Sequence, residues 1–329
     1  MAGSRWDVVG IGNAIVDVLA QADDAFLARH GMAKNAMMLI DADRADALYK
    51  AIAPAVEQSG GSAANTIAGH ASLGGRGAYV GKVAADQLGD IFAHDLKAVG
   101  IHFDTARLVG DAPTARSFIL ITPDGHRTMN TYLGACVALT PDDVDAETIA
   151  GGEVLYLEGY LWDRPAAKEA FLKAARLAHR AGRKVALTLS DSFCVERHHE
   201  SFLDLVKNHV DILFANEAEI IALFQTKTFD EALAVVRGLG KTAALTRSEK
   251  GSVVLDAHSV HAIQAVPTKV VDTTGAGDLY ASGFLFGLTH GLGLERAGRI
   301  ASIAAAEVIS HVGPRPQVRL ADLIREIAA

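Results

Sequence analysis

The chain has 329 residues and a mass of 34.6 kDa, half of them hydrophobic and 6% aromatic, enough for one large core built mainly from Ala, Val, Leu and Ile. Thirty-one Lys and Arg stand against 39 Asp and Glu, a net charge of -8. No basic run is long enough to track a phosphate backbone, which argues against nucleic acid and anionic membrane surfaces as partners. Two cysteines, Cys136 and Cys194, can form neither a disulfide framework nor a four-thiolate zinc site, so a reduced, cytoplasmic protein is expected.

Residues 7–12 (DVVGIG) are short, apolar and closed by glycine, as in a buried strand ending at a tight turn, with Asn13 and Asp17 just beyond it. Arg5, Asp7 and Asp17 interrupt the apolar start, so neither a secretory signal nor a spanning helix is expected there. Short mixed elements follow, including a strand at 36–40 (AMMLI). Farther on, 116–122 (RSFILIT) and 127–131 (RTMNT) flank Pro123, Asp124 and Gly125, a hairpin signal. These segments, approximately 14–45 and 104–132, are expected to form a small accessory sheet. The main domain is then approximately 1–13, 46–103 and 133–329 of one continuous unit.

From residue 153 strands and helices alternate: 153–157, 184–189, 211–215 and 242–246 read as strands, 165–181 and 217–223 as helices. Such alternation predicts a mostly parallel sheet with helices on both faces. Residues 279–288 and 294–309 have helical spacing, and 320–327 reads as a short amphipathic helix. The uncharged stretch from Leu279 to Leu294 is broken by glycines and a histidine and reads as buried protein, not membrane.

The strongest chemical signal is 272–278 (DTTGAGD), running directly into an apolar helix. A glycine-rich turn that opens a helix leaves backbone N–H groups unpaired and convergent, and the helix dipole favours negative charge there, so phosphate oxygens suit it. A carboxylate beside an anion hole repels phosphate unless it takes a proton or holds a metal, and Asp278 is read as a general base; a plain helix cap is the alternative. The second cluster, 60–65 (GGSAAN), lets a substrate approach the backbone, and Asn65 offers both donor and acceptor. A polyol fits it, and a helix start capped by Ser62 is the competing reading. Asp17 could accept from two neighbouring hydroxyls with help from Asn13. No His-Glu-x-x-His spacing occurs, His198 and His199 read as a solvated helix start, and neither cysteine has a base near it in sequence.

Together, 60–65, Gly81 with Asp86 and Gly89 in 81–90 (GKVAADQLGD), Asn216 with Glu219 in 216–219 (NEAE), and 272–278 resemble the ribokinase-like, or PfkB, carbohydrate and nucleoside kinases over nearly the whole chain. The resemblance implies a three-layer αβα core with a mostly parallel central sheet and a small β lid. It implies ATP-dependent transfer to an alcohol, with Asp278 as base and Gly275, Ala276 and Gly277 as the anion hole. Asn216 and Glu219 would organise Mg2+ and phosphate, largely through water. Thr246, Gly251, Thr274, Gly275, Gly277 and Asn216 would line the nucleotide side, while Arg247 reads as merely exposed.

Within that family the opening of the chain, "VDILFANEAEIIALF" and "LTLSDSFCVERHHESFLDLV" resemble the adenosine kinases most. That subgroup implies phosphorylation of the adenosine 5'-hydroxyl to give AMP and ADP; a ribokinase- or fructokinase-like sugar kinase is the alternative. Asn13, Asp17, Gly61, Ser62 and Asn65 would hold the ribose. Met129 matches a base-packing position, Tyr160 and Leu161 an opposing aromatic wall, and Arg127 would touch sugar or phosphoryl group. Met37 and Met38 could line the slot or pack within the accessory sheet. The chain departs from the subgroup in having GYLW at 159–162, where two consecutive phenylalanines are usual after the glycine. The resemblance also implies a monomer, with a homodimer as in ribokinase relatives as the alternative, and raises a monovalent cation such as K+ near the anion hole.

Overall fold

The computed structural model describes residues 4–328. Its strands in chain order are β1 (Trp6–Ile11), β2 (Ile15–Gln21), β3 (Met37–Leu39), β4 (Val56–Gly60), β5 (Gly77–Val80), β6 (Ala115–Ile121), β7 (Arg127–Tyr132), β8 (Gly152–Glu158), β9 (Lys184–Thr188), β10 (Ile212–Asn216), β11 (Thr242–Thr246), β12 (Ser252–Leu255) and β13 (Val260–Ile263). Eight of them form one sheet in the order β13-β12-β11-β10-β9-β8-β1-β5, parallel from β11 to β5 and antiparallel at the β12 and β13 edge. Residues alternate between its two faces. Leu155 and Leu157 of β8 join a core with Phe171 and Phe202 of one helical layer, while Val154 and Tyr156 join Ile67, Phe284 and Ala301 of the other. The α/β reading of the second half is borne out, with the helix Pro165–Arg180 and the strands at 184–188, 212–216 and 242–246 where periodicity puts them.

The remaining five strands make a separate sheet, β3-β7-β6-β2-β4. Its hairpin β6–β7 pairs Ile121 with Arg127 across the turn expected at Pro123–Gly125. One boundary differs from expectation. Residues 46–60 fall to the main domain in sequence, yet the helix Ala42–Ala51 packs Ala45 and Leu48 against Phe118 of the small sheet, and β4 pairs antiparallel with β2. The sequence of β4 (VEQSG) has one apolar residue and no alternation, because an edge strand is held by backbone bonds more than by burial. The amphipathic tail is also interrupted at Ile324, giving helices Leu320–Leu323 and Arg325–Ala328.

Two helices carry most of the residues expected in the site, Ser62–Ser72 and Ala276–Thr289, and small residues let them close on one another. A Cβ on Gly69 would press into Leu279 and Ser282, and one on Gly283 or Gly287 would enter the backbone of the neighbouring helix Leu294–Val308. This close approach brings the N-termini of the first two helices to the same place. Among the described residues no helix is long and apolar enough to cross a membrane.

Candidate active site

The parallel strands β1, β8, β10 and β11 end, at their carboxyl edge, in Gly12–Asn13, Glu158, Asn216 and Thr246, the edge at which open parallel sheets bind ligands. The lid sheet lies over it. Pairing of Asp17 with Ser117, and of Ser117 with Thr131, puts these three on one face of the lid; Leu19, Ile119 and Met129 share that face by the same register, and Met37 pairs with Met129. The opposite face is the lid's own core of Val18, Ala20, Phe118 and Leu120.

Asp278 occupies the first turn of its helix, whose N-cap is Gly275 in the left-handed region at φ 78°. Its carboxylate accepts from the Ser62 hydroxyl at 2.6 Å and from the Asn65 side-chain amide at 3.0 Å. Desolvation raises its carboxyl above the ordinary aspartate range, against the pull of those two hydrogen bonds and of Arg315. Ser62 therefore serves Asp278 and does not cap its own helix. The cap is Gly61 at φ 91°, where a Cβ would run into the Asn13 carbonyl.

Around this pair the residues expected on the sugar side converge. Asp17 is buried, and desolvation pushes its carboxyl up to about 7. Gly60 leaves room for it, since a Cβ there would collide with the Asp17 carboxylate. Asn13 is buried with its backbone and side-chain N–H groups both donating to Glu158 Oε1, at 3.2 and 2.8 Å, while Ala63 N–H donates to Glu158 Oε2 at 2.8 Å. The side-chain oxygens of Asn13 and Asn65 are buried without a protein partner, which leaves two acceptors for hydroxyl donors.

Arg127, from β7 of the lid, donates to the Thr274 hydroxyl at 2.7 Å and forms an ion pair with Asp272. Asp272 also accepts from the backbone N–H groups of Thr274 at 3.0 Å and Gly313 at 2.9 Å, so one buried carboxylate ties lid, glycine-rich loop and C-terminal segment together. Nothing lies within 4 Å of where a Cβ on Gly277 would sit, so that stretch of backbone is open to a ligand.

Asn216 and Glu219 close on one another as a capping box: Asn216 donates from its backbone at 2.9 Å and its side chain at 2.6 Å, and accepts from Glu219 N–H at 2.9 Å. Burial pushes Glu219 up to about 7, the charge of Asp191 adding to it. Asn216 pairs in register with Thr246, and both border a groove of about 500 Å³ with Ile221 and Lys250. A Cβ on Gly251 would strike the Ile263 carbonyl, which accounts for glycine at that turn. Arg247 is not merely exposed: it holds Glu217 through two hydrogen bonds at 3.2 Å and lies 4.1 Å from the ring centroid of Phe229. Of the expected wall, Tyr160 is 40% exposed whereas Leu161 and Trp162 are buried, so only Tyr160 presents a surface to a ligand. Met37 and Met38 are exposed, at 51% and 44%. His198 pairs with Asp163 at 2.6 Å and His199 bonds the Leu223 carbonyl at 2.8 Å. Among the described residues no cluster of three or more His, Cys, Asp or Glu could hold a metal.

Sequence reasoning missed three residues here. Glu158 is an acid ending an apolar strand, a signal that was available. Asp272 was visible only as the first letter of a motif, and Arg315 gave no signal at all.

The chain matches the pfkB family carbohydrate kinase model over residues 36–319. The adenosine kinase of Saccharomyces cerevisiae is 28% identical, covering 93% of this chain and 96% of its own length. A 5-dehydro-2-deoxygluconokinase of Halalkalibacterium halodurans is 31% identical over 76% of this chain and 79% of its own. Among solved structures, adenosine kinase from Sinorhizobium meliloti matches with a TM-score of 0.90 and 56% identity over 98% of this chain and 99% of that one. A probable sugar kinase from Rhizobium etli matches with a TM-score of 0.91 and 52% identity over 98% of both chains.

Proposed function

Because the chain belongs to the pfkB family of carbohydrate kinases, an ATP-dependent phosphotransferase acting on a small sugar or nucleoside, we propose that its acceptor is the 5'-hydroxyl of adenosine and its products AMP and ADP. The observation that carries this reading is the two-ended character of the cleft. One end offers Asn13, Asp17, Asn65 and Asp278 to hydroxyls; the other is an apolar strip of Leu19, Met129 and Met37 on the lid, backed by buried Ile119, with Tyr160 exposed on the main domain. A ribose and a purine differ in the same way, and a free sugar has no use for the strip.

In this mechanism Asp278 accepts the proton of the 5'-hydroxyl as its oxygen attacks the γ-phosphorus, and the bond to the β,γ-bridging oxygen breaks to release ADP. Ser62 and Asn65 hold the base in orientation through their hydrogen bonds to its two oxygens. The amides of Gly275 and Gly277 donate to the equatorial oxygens as charge develops, the Ala276 N–H, expected among them, being held instead by the Thr273 carbonyl at 3.2 Å, and the Arg127–Thr274 contact fixes the loop beneath the lid. Mg2+, when bound, would supply charge neutralisation on the phosphates. Both oxygens of Glu219 already accept from Asn216, so the donor set fits a hydrated ion held through its waters by Asn216 and Glu219, not one ligated directly.

A sugar-kinase reading is favoured by one feature, the single aromatic at Tyr160 where a fuller wall would sandwich a base. Measurement of kcat/KM with magnesium-ATP across adenosine, guanosine, inosine, ribose and fructose separates the two. Adenosine preferred by at least about tenfold supports the proposal, and equal or better turnover of a free sugar overturns it.

A further inference from the structure

The cleft is short of side-chain donors. Asn13 commits its side-chain N–H to Glu158 and Asn65 commits its own to Asp278, so each is left with a buried, unpartnered oxygen. Asp17 and Asp278 add carboxyl oxygens. On the lid, the Ser117 and Thr131 hydroxyls bond one another at 2.8 Å, and Arg127 is taken up by Thr274 and Asp272. A sugar hydroxyl has one proton to donate and two lone pairs that accept, and these side chains answer only the first.

Gln58 of β4 has donors to give. It lies directly opposite Asp17 of β2, and residues paired across an antiparallel ladder share a face about 5 Å apart, so its side chain stands beside Asp17 on the cleft face of the lid. Gly60 shares that face and leaves the Asp17 carboxylate its space, since a Cβ there would lie 2.3 Å from Oδ2. Gln58 is half-buried, and its Nε2 lies 3.7 Å from where a Cβ on Gly313 would sit. Gly313 is the residue whose N–H binds Asp272, so the amide reaches from the lid to the segment beneath it. The neighbouring side chains are engaged, Glu57 by Tyr49 at 2.6 Å and Ser59 by Arg315 at 3.1 Å. The Gln58 amide makes no hydrogen bond among the described residues, and both its N–H donors are free for a ligand.

We propose that Gln58 is a further substrate-binding residue that selects a ribose over a deoxyribose acceptor: one hydroxyl of the ribose diol donates to Asp17 and accepts from the Gln58 amide. This rests on the reading of the acceptor as adenosine. The test compares the full-length wild type with Gln58→Met and Gln58→Ala on adenosine, 2'-deoxyadenosine and 3'-deoxyadenosine, with saturating magnesium-ATP. Loss of one neutral hydrogen bond lowers kcat/KM for adenosine about fivefold, through KM with kcat held. The loss disappears for the deoxynucleoside that lacks the contacted hydroxyl and persists for the other. A loss equal for all three nucleosides is what a merely structural role gives, and it overturns the proposal; so does no loss for any of them. A wild type that turns over ribose in preference to adenosine refutes the reading of the acceptor. The same variants are then compared on ribose, 2-deoxyribose and 3-deoxyribose, where a loss confined to sugars carrying one particular hydroxyl upholds the role of Gln58 and an equal loss or none overturns it.

Discussion

The ion pair between Arg127 and Asp272 is the contact through which the lid grips the glycine-rich loop, and it can be tested by a double-mutant cycle. Only 10% of the Arg127 side chain and 3% of the Asp272 side chain are exposed, and desolvation already lowers the Arg127 pKa. Replacing one partner leaves the other charge buried and unpaired, a loss of about 3–5 kcal/mol. Asp272→Ala also orphans the N–H groups of Thr274 and Gly313, each costing about 1–3 kcal/mol where water does not reach. Arg127→Met removes the charge and keeps the stem, so the double variant Arg127→Met/Asp272→Ala carries no stranded charge. Urea unfolding of the wild type, both single variants and the double variant gives the coupling. The double variant is expected to be at least about 2 kcal/mol more stable than the sum of the single losses implies. Additive losses would mean that the two charges do not depend on one another and that the lid does not grip the loop through them.

Gly61→Ala places a Cβ against the Asn13 carbonyl at a backbone angle L residues rarely adopt, and should cost about 1–3 kcal/mol in denaturant unfolding and raise the acceptor KM. Met129→Ser removes apolar surface from the lid strip, so KM for adenosine should rise about tenfold while any turnover of free ribose is unchanged. The raised carboxyl of Asp278 sets a pH dependence with a definite sign: a base must be ionised, so kcat/KM falls as pH drops through a pKa above the ordinary aspartate value of about 3.9. A profile flat down to pH about 4 would contradict that.

The residues that could be found in the sequence were those whose chemistry is local. Gly275 and Asp278 sit within four positions of one another, and a glycine turn entering an apolar helix has few other uses. Asn216 and Glu219 likewise announce a helix start by their spacing. Asp17 stands out in the sequence, but its strand does not: β2 is apolar on both faces, one packed in the lid core and one lining the cleft, so the period of two is blurred. Glu158 and Arg315 act through partners 145 and 256 positions away, Asn13 and Ser59, and such distances become contacts only when β1 pairs with β8 and the C-terminal segment reaches the lid. The competing reading of Ser62 as a cap failed for a similar reason. Its true partner, Asp278, is 216 residues distant and reaches it through the packing of Gly69 on Leu279 and Ser282.

Asp278 is proposed to take the proton of the acceptor hydroxyl. Asp278→Asn keeps an acceptor for the Ser62 hydroxyl and nearly the same volume, so adenosine and ATP affinities measured by calorimetry should stay within a fewfold of wild type while kcat falls by at least about a hundredfold. A folded Asp278→Asn protein that turns over at near-normal rate would contradict it.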